Sequence, residues 1–314
     1  VKANAKQLAV TCGGLKVTTW VTYKNGDYFV NFNMADGTKI RYNDLDFFEP
    51  EKPESIDLKI TNRCFRGCSF CHENSTCDGK HGDILNLPFL DTMLPYSEIA
   101  IGGGNVLLHP DLIPFLEGLK ERKLIANMTV HQNDFMANSD FLKYLVEDKL
   151  IYGLGVSLNY VDDEFIEVIK EFPNAVIHVI NGVVSVSELE SLANNNLKIL
   201  ILGYKEFRRG KDLYNIIGDD IEHDKSELYE ALPTIVSNGW FDCVSFDNLA
   251  IKQLDPKRFM SEDKWKSFYM GDDGAFTMYI DAVERKFAKS SVSTERWEIT
   301  DDIKEMFNKV RSVA

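Results

Sequence analysis

The chain has no apolar run long enough for a helix to cross a bilayer. Only 6 of its 314 residues are cysteine, too few for the disulfide framework of a small secreted domain. Positive charge is also scarce: 35 Lys and Arg stand against 49 Asp and Glu, a formal net charge of −14. That sign argues against nonspecific binding to nucleic acid or to an anionic membrane, both of which need a basic field. There is no internal repeat and no low-complexity tract. The opening Val1-Lys2-Ala3-Asn4 lacks the apolar core of a secretory signal, so the expectation is a cytoplasmic protein in a reducing compartment. What is present is a globular composition, 44% hydrophobic, in a length that an α/β barrel often fills as one core.

Leu8 to about Asp46 reads as antiparallel β structure. Leu15, Val17, Thr19, Val21 and Tyr23 alternate with more polar residues, Asn25-Gly26 supplies a hairpin turn, and Tyr28, Val30 and Phe32 alternate again. Asp36-Gly37 marks a second turn before Thr38 to Tyr42, and a charged, proline-bearing connector runs from Glu49 to Glu54. From Ser55 the pattern changes to strand alternating with helix, which favours a parallel sheet wrapped by helices. Strands are expected at Ser55 to Thr61, Glu98 to Ile101, Ile125 to Val130, Ile151 to Leu158, Ala175 to Ile180 and Leu197 to Leu202. Leu112, Phe115, Leu116 and Leu119 repeat at helical spacing, as do Phe165, Val168, Ile169 and Phe172. Ser187 and Glu190 form a capping-box pattern, whereas Pro88 and Pro95 interrupt the stretch where a first helix would fall. Farther on, Leu228, Ala231, Leu232 and Ile235 suggest a helix that Pro233 should kink or break. Strands are expected again at Cys243 to Phe246 and Phe276 to Ala282, and Ile303, Met306, Phe307 and Val310 mark a closing helix. The expected organisation is a small N-terminal β domain (1–50), a strand-helix core (51–205) and a C-terminal α+β extension (206–314) capping its open side.

Directly after the apolar segment Ile56 to Ile60 comes the run Asn62-Arg63-Cys64-Phe65-Arg66-Gly67-Cys68-Ser69-Phe70-Cys71-His72. A C-x3-C-x2-C loop can point three thiolates at one inorganic cluster, and an iron–sulfur cube held by three cysteines keeps one iron with an open position. Zinc is the competing occupant. It prefers four ligands in paired spacings, and His72 or Cys77 could complete such a set, although no second paired spacing is present.

These residues and their setting resemble the radical S-adenosylmethionine (radical SAM) family. The resemblance covers roughly Ser55 to Lys205 and implies a partial (β/α)6 barrel with a 4Fe-4S cluster on Cys64, Cys68 and Cys71. It further implies that SAM binds the fourth iron through its amine and carboxylate and is cleaved reductively to a 5′-deoxyadenosyl radical, with an electron donor such as flavodoxin or ferredoxin. Ligands of parallel α/β sheets sit at the carboxyl ends of the strands. There, Gly102-Gly103-Gly104-Asn105 matches the place of the family's Gly-Gly-Glu motif, which holds the SAM amino group, with Asn105 where the family often has Glu. Ser157 and Asn159 resemble its ribose-contacting strand end, Asn181 and Tyr204 fall near its adenine contacts, and Phe70 matches the aromatic that packs near adenine. An ordinary turn or loop anchor is the alternative at each of these positions.

Strand-end His131, with Gln132 and Asn133, is the histidine best placed to touch substrate. Cys12, Cys77 and Cys243 remain outside the tripod and are too scattered for a second cluster. Cys77 or Cys243 is a candidate hydrogen-atom donor to a substrate radical, against the commoner role of free cysteine as a small hydrophobe. Arg208, Arg209 and Lys211 offer a grip for carboxylate or phosphate, or a solvated basic loop. The expected function is hydrogen abstraction from a substrate C–H bond, the substrate being a peptide for which the β domain is a docking surface. The alternatives are a nucleoside or sugar small molecule, and a non-enzymatic metal-binding protein with a structural tripod.

Overall fold

The computed structural model describes residues 11–12, 15–16, 19–45 and 47–313. Strands β1 (Thr11–Cys12) and β2 (Leu15–Lys16) form a short antiparallel pair; Leu8 to Val10, Val17 and Asp46, all within the expected β region, lie outside the described residues. Strands β3 (Trp20–Asn25) and β4 (Tyr28–Asn33) then make the expected hairpin. Gly26 turns it at φ +64°, and a β-carbon there would meet the Glu49 carbonyl oxygen at 1.9 Å, so only glycine fits. Strand β5 (Lys39–Tyr42) completes a three-stranded antiparallel sheet.

The second sheet has ten strands. They are β6 (Ser55–Thr61), β7 (Glu98–Gly103), β8 (Ile125–His131), β9 (Gly153–Ser157), β10 (Ala175–Ile180), β11 (Lys198–Leu202), β12 (Cys243–Phe246), β13 (Thr277–Asp281), β14 (Lys286–Ala288) and β15 (Trp297–Glu298). Their spatial order is β12-β11-β10-β9-β8-β7-β6-β13-β14-β15. From β12 through β13 neighbours are parallel, while β14 and β15 add antiparallel. The six expected core strands are present, each end within two residues of expectation. The C-terminal third supplies strands to both flanks of that core, β12 beside β11 and β13 beside β6.

The helices are α1 (Leu112–Glu121), α2 (Gln132–Ala137), α3 (Ser139–Glu147), α4 (Asp163–Lys170), α5 (Val186–Leu192), α6 (Arg209–Ser237), α7 (Asn248–Leu254), α8 (Glu262–Phe268) and α9 (Ile303–Arg311). Between β6 and β7 the proline-interrupted stretch forms only a 3-10 turn, Pro88–Thr92. The capping box falls two residues before the expected one: the Ser185 hydroxyl accepts from the Glu188 N–H and the Glu188 carboxylate accepts from the Ser185 N–H. Ser187 is already inside the helix.

Strand residues alternate between two faces. Ile56, Leu58 and Ile60 of β6, Ile99 and Ile101 of β7, and Ile177 and Val179 of β10 pack with Phe115, Leu119, Leu145, Phe165 and Leu189 of the helices in one continuous core. The opposite phase, Asp57, Lys59, Gly102, Thr129, Ser157 and His178 among others, faces the interior of the barrel. The small sheet packs elsewhere. Tyr23, Tyr28, Val30 and Phe32 cluster with Ile125, Tyr152 and Phe276, residues at the entry ends of the parallel strands. Glu54, which leads into β6, accepts from the Tyr28 hydroxyl (2.6 Å) and pairs with Arg41 (2.7 Å) and Lys39 (3.3 Å). The β domain is therefore keyed to the end of the barrel opposite the cysteine loop.

Helix α6 corrects one expectation. Its single break in helical geometry is at Ile217 (φ −127°, ψ 32°), and Pro233 sits inside the last turns. Proline leaves the carbonyl four residues back without its helical donor, and that carbonyl, of Tyr229, accepts from the Arg258 guanidinium instead. The same guanidinium stacks 3.7 Å above the Tyr229 ring. Arg258→Ala should therefore cost about 1–2 kcal/mol in urea unfolding, and the cost should shrink in a Pro233→Ala background, where the helix supplies its own donor.

Candidate functional site

The cysteine loop begins where β6 ends and has no regular structure, so its backbone groups find partners one by one. The Cys64 N–H donates to the Thr76 carbonyl (2.8 Å), the Thr76 N–H to Asn62 (3.0 Å) and the Asn62 N–H to Lys80 (2.8 Å). The Gly102-Gly103-Gly104-Asn105 run forms the other wall. The Gly104 N–H donates to the Thr61 carbonyl (2.7 Å) and the Asn105 N–H to Arg63 (2.8 Å). A β-carbon on Gly103 would lie 2.4 Å from the Thr61 oxygen, and one on Gly104 2.4 Å from the Arg63 oxygen. These glycines are thus required by the close approach of two backbone segments. Gly102 is different: a β-carbon there would meet nothing within 4 Å. The Asn105 side chain accepts from the Leu107 N–H (3.0 Å) and caps a 3-10 turn, Val106–Leu108.

Cys64, Cys68 and Cys71 are free thiols of intermediate burial. Burial raises the Cys68 thiol, and neighbouring Cys71 and Cys64 raise it further. Among the described residues no three His, Cys, Asp or Glu side chains converge as they would on a single metal ion.

Charged clamps hold both arms of the loop. On the first arm, Arg66 makes a two-point ion pair with Asp134 of α2, Nε to Oδ2 at 3.0 Å and Nη2 to Oδ1 at 2.6 Å. On the second, buried Glu73 lies 2.9 Å from Lys59 Nζ, which also contacts Asp281 of β13 at 3.0 Å. The Tyr279 hydroxyl donates to Glu73 (3.2 Å), Arg208 to the Glu73 carbonyl (2.8 Å) and Arg209 to the Ser75 carbonyl (2.9 Å). Arg208 and Arg209, candidates for gripping an anion, are thus bound to the loop itself; Arg208 does so from a left-handed backbone position, φ 52°. Burial, which raises a carboxyl, is outweighed at Glu73 by His72 and Lys59, and the group is held far below the ordinary carboxylate range. Burial and Lys205 push His72 down, while Glu73 pulls it the other way.

The remaining strand ends meet around this loop. Phe70 lines one cleft with Leu158, Asn159, Ile180, Val183 and Glu188, so the cysteine loop and the ends of β9 and β10 share a wall. The Asn159 and Tyr160 N–H groups donate to Oε1 of fully buried Gln132 (2.8 and 3.0 Å). Among the buried polar atoms without a protein partner, four lie just past the carboxyl ends of strands: Asn62 Oδ1, Gln132 Nε2, Asn133 Oδ1 and Asn181 Oδ1. A ligand or water must satisfy such atoms if they are not to cost stability. Tyr204 is buried, its hydroxyl donating to the Gly210 carbonyl (2.7 Å) and its main chain joined to Gln253. His131 Nδ1 accepts from the Asn133 N–H (3.1 Å) and caps α2.

Two candidates stand apart. Cys243 opens β12 in register with Lys198, at the strand entry ends and away from the cysteine loop. Cys77 is exposed, beside Thr76 at the base of the loop. A cavity of about 380 Å³ lined by Phe172, Pro173, Asn195 and Lys198 is likewise at the entry ends.

Of the barrel interior, sequence reasoning named Ser157 and His131 but missed His178 and Asp57. Ser157 is in register with His131 on one side and His178 on the other, so a hydroxyl sits between two imidazoles across β8, β9 and β10. The His178 ring occupies the notch at Gly155, where a β-carbon would fall 2.4 Å from it and 2.8 Å from Thr129 Oγ1. Burial pushes His178 down to about 4, leaving it neutral. Asp57 is reached by solvent yet ringed by protein; that enclosure, with Asp273, Asp247 and Glu73, lifts its carboxyl to about 6 against the pull of Lys205. The signal was available: His178 is the one polar residue in the apolar strand Ala175–Ile180, and Asp57 alternates with Ile56 and Leu58.

No family model and no curated protein matches this chain. Solved structures do. SuiB of Streptococcus suis bound to precursor peptide SuiA superposes with a TM-score of 0.59 at 12% identity, covering 92% of this chain and 87% of that one. SuiB bound to S-adenosylmethionine gives 0.57 at 11% identity, with 90% and 85% covered. The likeness establishes the fold: a partial parallel barrel with a small antiparallel sheet, as the sequence pattern and the resemblance together implied.

The Glu73 network yields a direct test. Lys59→Met leaves Glu73 and Asp281 without the cation they share and should cost about 3–5 kcal/mol in urea unfolding at neutral pH. Because the Glu73 carboxyl is depressed in the folded state, its stabilisation is full above its ordinary value of 4.5 and is lost as pH falls below it. The difference between the variant and the parent should therefore narrow below about pH 4.5.

Proposed function

We propose that the chain is a radical SAM enzyme that abstracts hydrogen from a C–H bond of a peptide substrate. The observation that carries this reading is the C-x3-C-x2-C loop standing at the carboxyl end of β6, beside unpartnered polar atoms, in a chain with a SuiB-like fold. The donor set fits a cluster better than zinc. Of the two candidate fourth ligands for zinc, His72 has its Nε2 engaged by Lys205 (3.4 Å) and Glu73 (3.5 Å), and Cys77 stands exposed at the base of the loop. When bound, a 4Fe-4S cluster with SAM at its open iron would supply a 5′-deoxyadenosyl radical; protein contributes placement and exclusion of water.

This chain's residues divide that work as follows. Cys64, Cys68 and Cys71 hold the cluster. Gly102, with open space at its α-carbon, leaves room for the cofactor beside it. Phe70 and Asn159, facing one cleft, receive the nucleoside, with Ser157 and Asn181 at the adjoining strand ends. Asn105 and Tyr204 act by shaping the backbone around the cofactor, since their side chains are committed to Leu107 and Gly210. Cys77, near the loop, remains the nearer candidate for hydrogen return.

SuiB was crystallised with a precursor peptide, and this supports a peptide substrate here. A β domain at the far end of the barrel puts a condition on docking there. Seven-residue β6 spans about 20 Å, so a peptide anchored on the small sheet needs a linker of at least that reach to enter the mouth.

Anaerobic reconstitution should give a brown protein with about four irons per chain that cleaves SAM under reduction, and Cys68→Ser should lose both properties. A colourless protein with one zinc would sink the reading. Within it, His178 and Asp57 position the substrate. His178→Leu should keep 5′-deoxyadenosine formation while product falls by about 100-fold or more, since a misplaced C–H bond forfeits the proximity advantage. Chromatography of both products in one assay separates the two effects.

A further inference from the structure

Helix α2 starts immediately after β8 without an intervening loop, and its first turn reaches in two directions. Gln132 Oε1 receives the Asn159 and Tyr160 N–H groups at the end of β9. Asp134, 7% exposed, receives Arg66 from the cysteine loop through both carboxylate oxygens, and its own carbonyl accepts from Asn138 Nδ2 at 2.7 Å. A two-point guanidinium–carboxylate pair fixes orientation as well as distance. Arg66 lies between Cys64 and Cys68, and its N–H sits 3.5 Å from Cys64 Sγ. The pair therefore joins the loop's conformation to its local charge.

We propose that Asp134 is a positioning residue for the cysteine loop: through Arg66 it seats the loop against the β8–α2 junction and balances the cation beside the thiolates. This rests on the tripod's holding an iron–sulfur cluster. Reduction adds negative charge to a cluster, so nearby positive charge raises its midpoint potential and negative charge lowers it. Asp134→Asn exposes the cluster to an unbalanced Arg66; Arg66→Gln leaves an unbalanced Asp134. The two substitutions break the same contact but change the field in opposite senses.

The test has one arm without the cluster and one with it. In the unloaded chain, alkylation of Cys64 and Cys68 by iodoacetamide should run several-fold faster in Asp134→Asn and Arg66→Gln than in the parent, with Arg66→Lys between them. Equal rates in all four proteins would overturn the seating role. After anaerobic loading with ferrous iron and sulfide, a dye-mediated redox titration followed by electron paramagnetic resonance should show the midpoint raised in Asp134→Asn and lowered in Arg66→Gln, with the double variant returning toward the parent. Shifts of the same sign, or none, would overturn the charge-balancing role. A parent chain that takes up no iron would instead remove the cluster reading, while the alkylation rates still decide whether the clamp seats the loop. Should Asp134→Asn fail to fold, Arg66→Lys and Arg66→Gln carry the same comparison.

Discussion

The candidate site depends on holding an irregular loop still at the carboxyl end of β6. A segment without helix or strand must find its backbone partners one by one, and here some lie within the loop and others at the neighbouring strand end. Gly103 and Gly104 allow the β7 backbone to approach Thr61 and Arg63 more closely than any side chain would permit. Hydrogen bonds from Gly104 and Asn105 then close the gap. With the loop base fixed in this way, Phe70 of the cysteine loop and the ends of β9 and β10 line one cleft.

Charge completes the restraint. Lys59, Glu73 and Asp281 form a buried cluster joining β6, the second arm of the loop and β13, while Arg208 and Arg209 bind loop carbonyls from the start of α6. Buried ions of this kind are costly unless each is paired. Their placement beneath a loop of free thiols points to geometry as their role. The C-terminal third is therefore part of the site's support, because Tyr279 and Asp281 of β13 and Arg208 and Arg209 at the start of α6 belong to its clamps.

The barrel interior carries a different polarity. Asp57, Thr129, Ser157 and His178 face inward on strands whose other phase is uniformly apolar. A core built for stability alone would fill this space with aliphatic side chains. Neutral imidazole and hydroxyl groups instead leave donors and acceptors for a guest, and the small sheet, keyed through Glu54 to the opposite end, leaves the mouth open.

The core strands and the C-x3-C-x2-C loop were legible in the sequence because each rests on local information: alternation, turn residues and spacing; the places of β12 and β13 at the flanks of the sheet were not. The Gly102–Asn105 run was legible as a close approach, although its nearest partner is backbone. What the sequence could not disclose were pairings across distance. Arg66 with Asp134, Lys59 with Asp281, and Arg258 with the carbonyl that Pro233 leaves free all join segments far apart in the chain. The same holds for burial: Tyr204 and Asn105 have the right side chains for a ligand, but packing commits them elsewhere. Local periodicity determines which elements form and which face is apolar; only their assembly decides which charges meet, because an ion pair depends on separation in space and carries no pattern along the chain.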